Sequence, residues 1–443
     1  MKPYLDIIKL VWPLALGMVN TALMQSVDRA FLAQYSASAI EAVLPASTLV
    51  WVFMCFFQSI VGYSGVFVAQ CHGAGDERGC RASYRAGMFI AIVSGLLMFA
   101  FLPLGGWLFS LAGHDSGLAA LERSYYNIAI LGGFFVYAQM AAASYFTGRG
   151  KTRIVFWVNL LGNALNVAID PVLIFGLCGF PRLGIAGAAC ATVLSQFSQF
   201  AVLAIAAGRE GGGGKVPCLG HVRRILKFGV PAGGYEVLNM LSFTVFVFVT
   251  GSVGGDDFAA SNACFTVNYL LFAPMTGFAI GAQTLVGHAR GRGDDREAVL
   301  ALRRVLMLGL SFAFAACVAV LALHRPILSL YASPDLADPA RFFSTGWTLL
   351  LLMSAWMLFD AADVILSGAL KGAGDTRFVF WWMFACAFLV WLPLVFAVNA
   401  KMPSMPALWS TTVAYVVIIS AGSFARWRRG RWRTIRISGK GGA

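Results

Sequence analysis

Asn159, Asn163, Asn166 and Asp170 follow one another at intervals of 4, 3 and 4 residues in an otherwise apolar stretch. On a helix that spacing puts all four on one narrow face. Lipid cannot satisfy three amides and a carboxylate, so the face must meet protein or water. A second acid, Asp28, interrupts the apolar stretch near the start of the chain, with Gln25 one turn before it. Ionisable groups inside a bilayer are expensive, and carboxylates there are candidates for taking up and releasing a proton or a small cation. The plainer use of such a stripe is polar adhesion between helices.

A second group lies in the C-terminal half. Glu236 and Asn239 are about one helical turn apart, as are Asp360 and Asp363, with Ser367 one turn further on. These four, Glu236, Asn239, Asp360 and Asp363, form a candidate cation or substrate site. Glu41 reads as an interfacial charge. Arg29 adjoins Asp28 in sequence but points roughly 100° away around a helix, where it can snorkel outward.

These residues need membrane-spanning helices to hold them. The chain has 443 residues, 59% hydrophobic and only 12% charged, with a mean hydropathy of +0.75. A soluble chain carries about twice that charge fraction. Twelve apolar spans are expected, near 7–33, 42–70, 86–111, 124–147, 154–176, 184–207, 225–252, 259–287, 301–323, 342–370, 377–399 and 405–427.

The chain also repeats itself. His72-Gly73-Ala74-Gly75-Asp76 returns as Arg290-Gly291-Arg292-Gly293-Asp294, and Gly148-Arg149-Gly150-Lys151-Thr152-Arg153 returns as Gly372-Ala373-Gly374-Asp375-Thr376-Arg377. Six spans per half return the chain to its starting side. The expected fold is therefore an all-α membrane protein of two parallel six-helix lobes, related by a pseudo-twofold axis along the membrane normal. The domains are an N-terminal lobe over 1–207, a linker over 208–220, a C-terminal lobe over 221–428 and a basic tail over 429–443. Four consecutive glycines, Gly211 to Gly214, exclude regular structure in the linker.

The repeat bears on the acids. Phe246 stands near the position matching Asp28, and the stretch matching Asp170 reads Trp391-Leu392-Pro393-Leu394. The same fold forms without those carboxylates, which favours function over adhesion.

A net charge of +13 could suggest nucleic acid, but its placement argues otherwise. Bases cluster in alternate loops, including Arg78 to Arg85, Arg149 to Arg153, Arg290 to Arg304, and Lys371 with Arg377, whereas the intervening loops carry Asp115, Asp256, Asp257, Asp335 and Asp338. This pattern puts both termini in the cytoplasm, and no nucleic-acid partner is expected. The tail from Arg426 to Arg433 is expected on anionic lipid head groups or as a plain stop-transfer flank. The first span is too long for a cleavable signal. Nine cysteines and five histidines show no ligand spacing, so neither a metal site nor a disulfide frame is expected. No H-E-x-x-H or G-x-S-x-G motif supports an enzyme.

Taken together, these residues resemble the multidrug and toxic compound extrusion (MATE) family over about residues 5–428. The likeness rests on Pro13 with Asp28, on Gly73-Ala74-Gly75-Asp76, and on Asn166-Val167-Ala168-Ile169-Asp170-Pro171. It also rests on Gly229-Val230-Pro231 and on Asp360-Ala361-Ala362-Asp363 through Asp375-Thr376. The resemblance implies a prokaryotic, inner-membrane efflux transporter that exports cationic amphipathic compounds by proton- or sodium-coupled antiport with alternating access. It implies an N-lobe coupling site at Asp28, Asn166 and Asp170, to which the stripe adds Asn163. Asp360 matches a cation-coupling acid, and Pro13 a point where helix 1 bends in some members. The departure is on helix 7, where the family's usual acid position is Asn239 and the acid, Glu236, comes one turn earlier. No cofactor is implied beyond the coupling ion, H+ or Na+. The expected partners are small organic cations and the bilayer, with the chain acting as a monomer. The competing reading is a lipid-linked oligosaccharide or lipid-precursor flippase. That activity calls for cavity-facing bases, which the spans lack apart from Arg29.

Overall fold

The computed structural model describes residues 2–111, 115–212, 219–332, 336–435 and 437. Twelve helices are long and apolar enough to cross a membrane, and no strand occurs among the described residues. They are α1 (Tyr4–Tyr35), α2 (Ala37–Gly73), α3 (Glu77–Leu111), α4 (Ser116–Gly148), α5 (Thr152–Phe175), α6 (Ile185–Arg209), α7 (Leu219–Gly251), α8 (Gly255–Arg292), α9 (Asp295–Ala322), α10 (Pro339–Ala373), α11 (Thr376–Lys401) and α12 (Met405–Arg428). Several begin well before their apolar spans because polar caps and charged first turns lie outside the hydrophobic stretch. Asp76 accepts from the Gly79 N–H at 2.8 Å to open α3, Asp115 opens α4, and Asp338 opens α10.

The repeated motifs are repeated turns. Gly75 and Gly293 both take a left-handed conformation, at φ 73° and 76°, which only glycine adopts freely. The aspartate that follows each caps the next helix, Asp294 accepting from the Glu297 N–H at 2.9 Å. Gly148 and Gly372 each lie against the backbone of a neighbouring helix, at Gly65 O and Gln283 O, so a side chain at either would collide.

The chain packs as two compact units that do not follow the sequence halves residue for residue. One comprises Leu16–Gly233 with Gly291–Gly293 and Ile437–Ala443, here the N-unit. The other comprises Met1–Ala15, Gly234–Arg290 and Asp294–Arg436, here the C-unit. Glycines explain the exchange. In the C-unit, Gly277 of α8 admits the backbone of Ala15, where a Cβ would come within 2.5 Å. In the N-unit, Gly233 of α7 meets the Phe56 carbonyl, where a Cβ would come within 2.7 Å. Pro13 and Pro231 lie inside continuous helices near these two boundaries. Of the expected linker, residues 213–218 lie outside the described residues, and α6 runs on through Arg209.

The N-unit core gathers Tyr63, Phe67, Tyr126, Ile130 and Tyr137 from α2 and α4. The C-unit holds a dense aromatic core. Trp409 stacks on Phe265 at 4.8 Å, Trp356 tilts against it at 4.8 Å, and its indole donates to Ser261 Oγ at 3.0 Å. Residues 385–391 of α11 are wound as a π-helical segment.

The basic tail is folded at its start. Trp432 is fully buried and stacks on Trp427 at 4.3 Å, its indole donating to the Trp427 carbonyl at 2.9 Å. Arg290 lies over the Trp432 ring and donates to the carbonyls of Arg433 and Ile435 at 3.0 and 2.7 Å. Burying the ring removes a large apolar area from water while its N–H keeps a partner, so the tail begins as part of the C-unit. Arg436 and residues 438–443 lie outside the described residues.

Candidate functional site

In the N-unit the α5 stripe faces inward. Asn163, Asn166 and Asp170 are 5%, 0% and 0% exposed, while Leu161, Ala164, Leu165 and Ala168 between them are exposed. Asp28, on the half of α1 that belongs to this unit, meets the stripe at its far end. The Asp28 and Asp170 carboxyls lie within hydrogen-bonding reach of each other. Asn166 bridges α1 and α6: its amide nitrogen donates to Asp28 Oδ1 at 2.9 Å and its oxygen accepts from the Thr192 backbone N–H at 3.2 Å. Among the described residues no donor group reaches either Asp170 oxygen. Two carboxyls can share a hydrogen bond only if one of them carries the hydrogen. Asn166 fixes Asp28 in place beside Asp170.

The rest of the stripe continues as a ladder of amides. Gln139 of α4 donates to Asn159 at 3.1 Å and to Gln199 at 3.5 Å. Gln199 of α6 donates to Asn163 at 3.3 Å and to Ser195 Oγ at 3.1 Å, and Ser195 closes onto the Gly162 carbonyl at 2.7 Å. Asn159 and Asn163 thus serve adhesion between α4, α5 and α6, whereas Asn166 and Asp170 belong with Asp28.

The C-unit arrangement differs. Glu236 is paired with a base: the Lys371 ammonium donates to its Oε1 at 2.9 Å and stands 3.9 Å above the Tyr235 ring. Lys371 was expected in a basic loop. Because α10 continues to Ala373, it sits on the helix, and the spans are not as free of bases as they read. Asp363 is 4% exposed and accepts from Ser423 Oγ of α12 at 2.6 Å. Asp360, half-buried one turn earlier on α10, lies within electrostatic reach of Asp363 and of Tyr415. Asn239 is half-buried on α7, and its backbone carbonyl accepts from Ser242. Glu41 is exposed, as is Arg29.

Where the N-unit has its acid pair, the C-unit has rings. Phe246 and Trp391 face each other at 5.1 Å, and Trp391 stacks on Tyr415 at 4.5 Å. Pairing by repeat thus carries over from sequence to space, with the chemistry exchanged.

Sequence reasoning missed Tyr125 of α4, which lies within electrostatic reach of Asp28, Arg29 and Asp170. It also missed Gln139, Ser195 and Gln199, and the fully buried Glu122 of α4. The i,i+4 pair Ser195 and Gln199 in an apolar span was a usable signal. Tyr125 had none, being one ring among many.

Comparison with known proteins bears on the family and the fold. The MatE family model matches residues 13–172 and 231–397. A probable multidrug resistance protein NorM of Bradyrhizobium diazoefficiens is 29% identical over 388 residues, covering 84% of this chain and 82% of that protein. The NorM of Thermotoga maritima is 26% identical over 434 residues, covering 96% and 92%. Among solved structures, an outward-facing multidrug resistance MATE family transporter of the MOP superfamily superposes with a TM-score of 0.88 at 17% identity, covering 97% of this chain and 96% of that one. At that identity the likeness establishes the twelve-helix, two-lobe fold. With the family model spanning both units and this fold beneath it, the chain belongs to the MatE family, as a multi-pass membrane transporter and not an enzyme.

Proposed function

We propose that this transporter is a multidrug efflux pump that exports cationic, amphipathic compounds by ion-coupled antiport with alternating access. The observation that carries the reading is the approach of Asp28 to the fully buried Asp170, with Asn166 holding Asp28 in place. It favours a proton over sodium as the coupling ion, because two carboxyls this close can share one hydrogen and so relieve their mutual repulsion. The names of the relatives support the substrate class.

The cycle follows from competition. A charged pair attracts an organic cation, and a proton taken up from outside cancels that attraction and releases the cargo. Loss of the proton inward resets the site. Coupling requires that proton and cargo favour different states or compete for one carboxylate. Asp28 can transmit the change, because its helix α1 contributes residues to both units.

Basic residues in alternate loops support a bacterial inner-membrane location with both termini cytoplasmic. Exposed Arg428, Arg429, Arg431 and Arg433 are suited to anionic head groups beside the folded Trp432. Each chain has its own carboxyl pair, which fits a monomeric unit of transport. The test is proton-driven dye efflux in inverted vesicles carrying Asp28→Asn or Asp170→Asn. Undiminished transport in both would remove this reading.

A further inference from the structure

The Lys371 ammonium occupies a place built for a cation. Glu236 supplies one carboxylate oxygen at 2.9 Å, and the adjacent Tyr235, itself 6% exposed, presents its ring face 3.9 Å from the same nitrogen. An anion beside an aromatic face is a minimal recognition element for an alkylammonium or a flat organic cation. The Lys371 side chain is 12% exposed and that of Glu236 is 40% exposed, so the carboxylate can be reached while the ammonium is held. The lysine stem has four rotatable carbons and can swing away without moving the backbone.

We propose that Lys371 is a tethered competitor: the chain's own ammonium fills the Tyr235–Glu236 cation site and is displaced by the cationic cargo. This deepens the efflux reading and rests on it for the class of cargo. Lys371 then sets the affinity threshold of the C-unit. A weak cation does not dislodge it, whereas a large flat one, able to cover Tyr235, does. Released from Glu236, the ammonium remains near Asp363, whose carboxylate lies within its electrostatic reach. The displaced charge therefore still has an anionic neighbour.

The test is equilibrium binding of ethidium to the purified full-length protein in detergent, with no gradient present. It is thus independent of whether Asp28 and Asp170 couple transport. Lys371→Met should tighten binding about tenfold, and Lys371→Arg, which keeps the competitor, should not. Adding Glu236→Gln to Lys371→Met should cancel the gain. Tyr235→Phe should bind as the parent does, and Tyr235→Leu should bind more weakly. The unmodified protein supplies a readout that needs no variant: saturating ethidium should raise the rate at which acetic anhydride acetylates Lys371, followed by mass spectrometry. The proposal is overturned if folded Lys371→Met binds ethidium no tighter than the parent, or if ethidium leaves the acetylation rate unchanged or lowers it.

Discussion

The two units share their turns and differ in their interiors. Asp76 and Asp294 cap equivalent helices, and Gly75 and Gly293 turn the chain in the same left-handed way. Yet the positions that bring Asp28 to Asp170 in one unit bring Phe246 to Trp391 in the other. The aromatic contact shows what the fold alone asks of those positions: bulk and close packing. Carboxylates there do not improve packing, and the proposed coupling role gives a reason for their presence in one unit alone. The C-unit keeps charge elsewhere, at Glu236, Asp360 and Asp363, and meets part of it with Lys371.

The contrast is open to direct attack. Its largest expected effect is functional. Asp170→Asn should bring dye efflux with and without a proton gradient to a ratio of about one, since a site that no longer distinguishes protonation states cannot couple. The protein should remain folded in detergent. A retained gradient dependence would make the acid pair a structural feature like its aromatic counterpart. The converse change, Trp391→Ala, should lower stability by about 3–5 kcal/mol, read as thermal unfolding in detergent. The dependence of residual transport on the gradient should survive. Next is the pair between Asp375 and Arg426, whose two bonds measure 2.7 and 3.2 Å, with Asp375 only 3% exposed. Asp375→Asn leaves Arg426 without its partner charge and should destabilise by about 3 kcal/mol while leaving coupling intact. The smallest effect tests sameness instead of difference. Asp76→Ala and Asp294→Ala should each cost about 1 kcal/mol, and unequal losses would show that the two turns are not equivalent.

Much of this contrast was legible in the sequence. The α5 stripe announced itself through spacing, because a helix turns 4-3-4 intervals into a line, and burial of Asn163, Asn166 and Asp170 follows. Twelve spans were legible because lipid demands long apolar runs. Their ends were less so: α3 begins at Glu77 and α4 at Ser116 because capping aspartates start helices before hydropathy rises. Contacts between distant segments left no trace. Lys371 and Glu236 are 135 residues apart, and nothing in either neighbourhood names the other. Gln139 and Asn159 meet for the same reason, through the packing of α4 against α5. The units' boundaries at Ala15 and Gly233 were equally hidden, since a helix that serves two units reads as one helix.

The buried Trp432 has a practical corollary for anyone shortening this protein. Removing the residues beyond Gly430 would strip the lid from Trp427 and leave the Arg290 guanidinium without the two carbonyls it now holds. What looks like a dispensable, charge-rich extension includes a small plug, and a truncated form would be expected to aggregate through the bared indole.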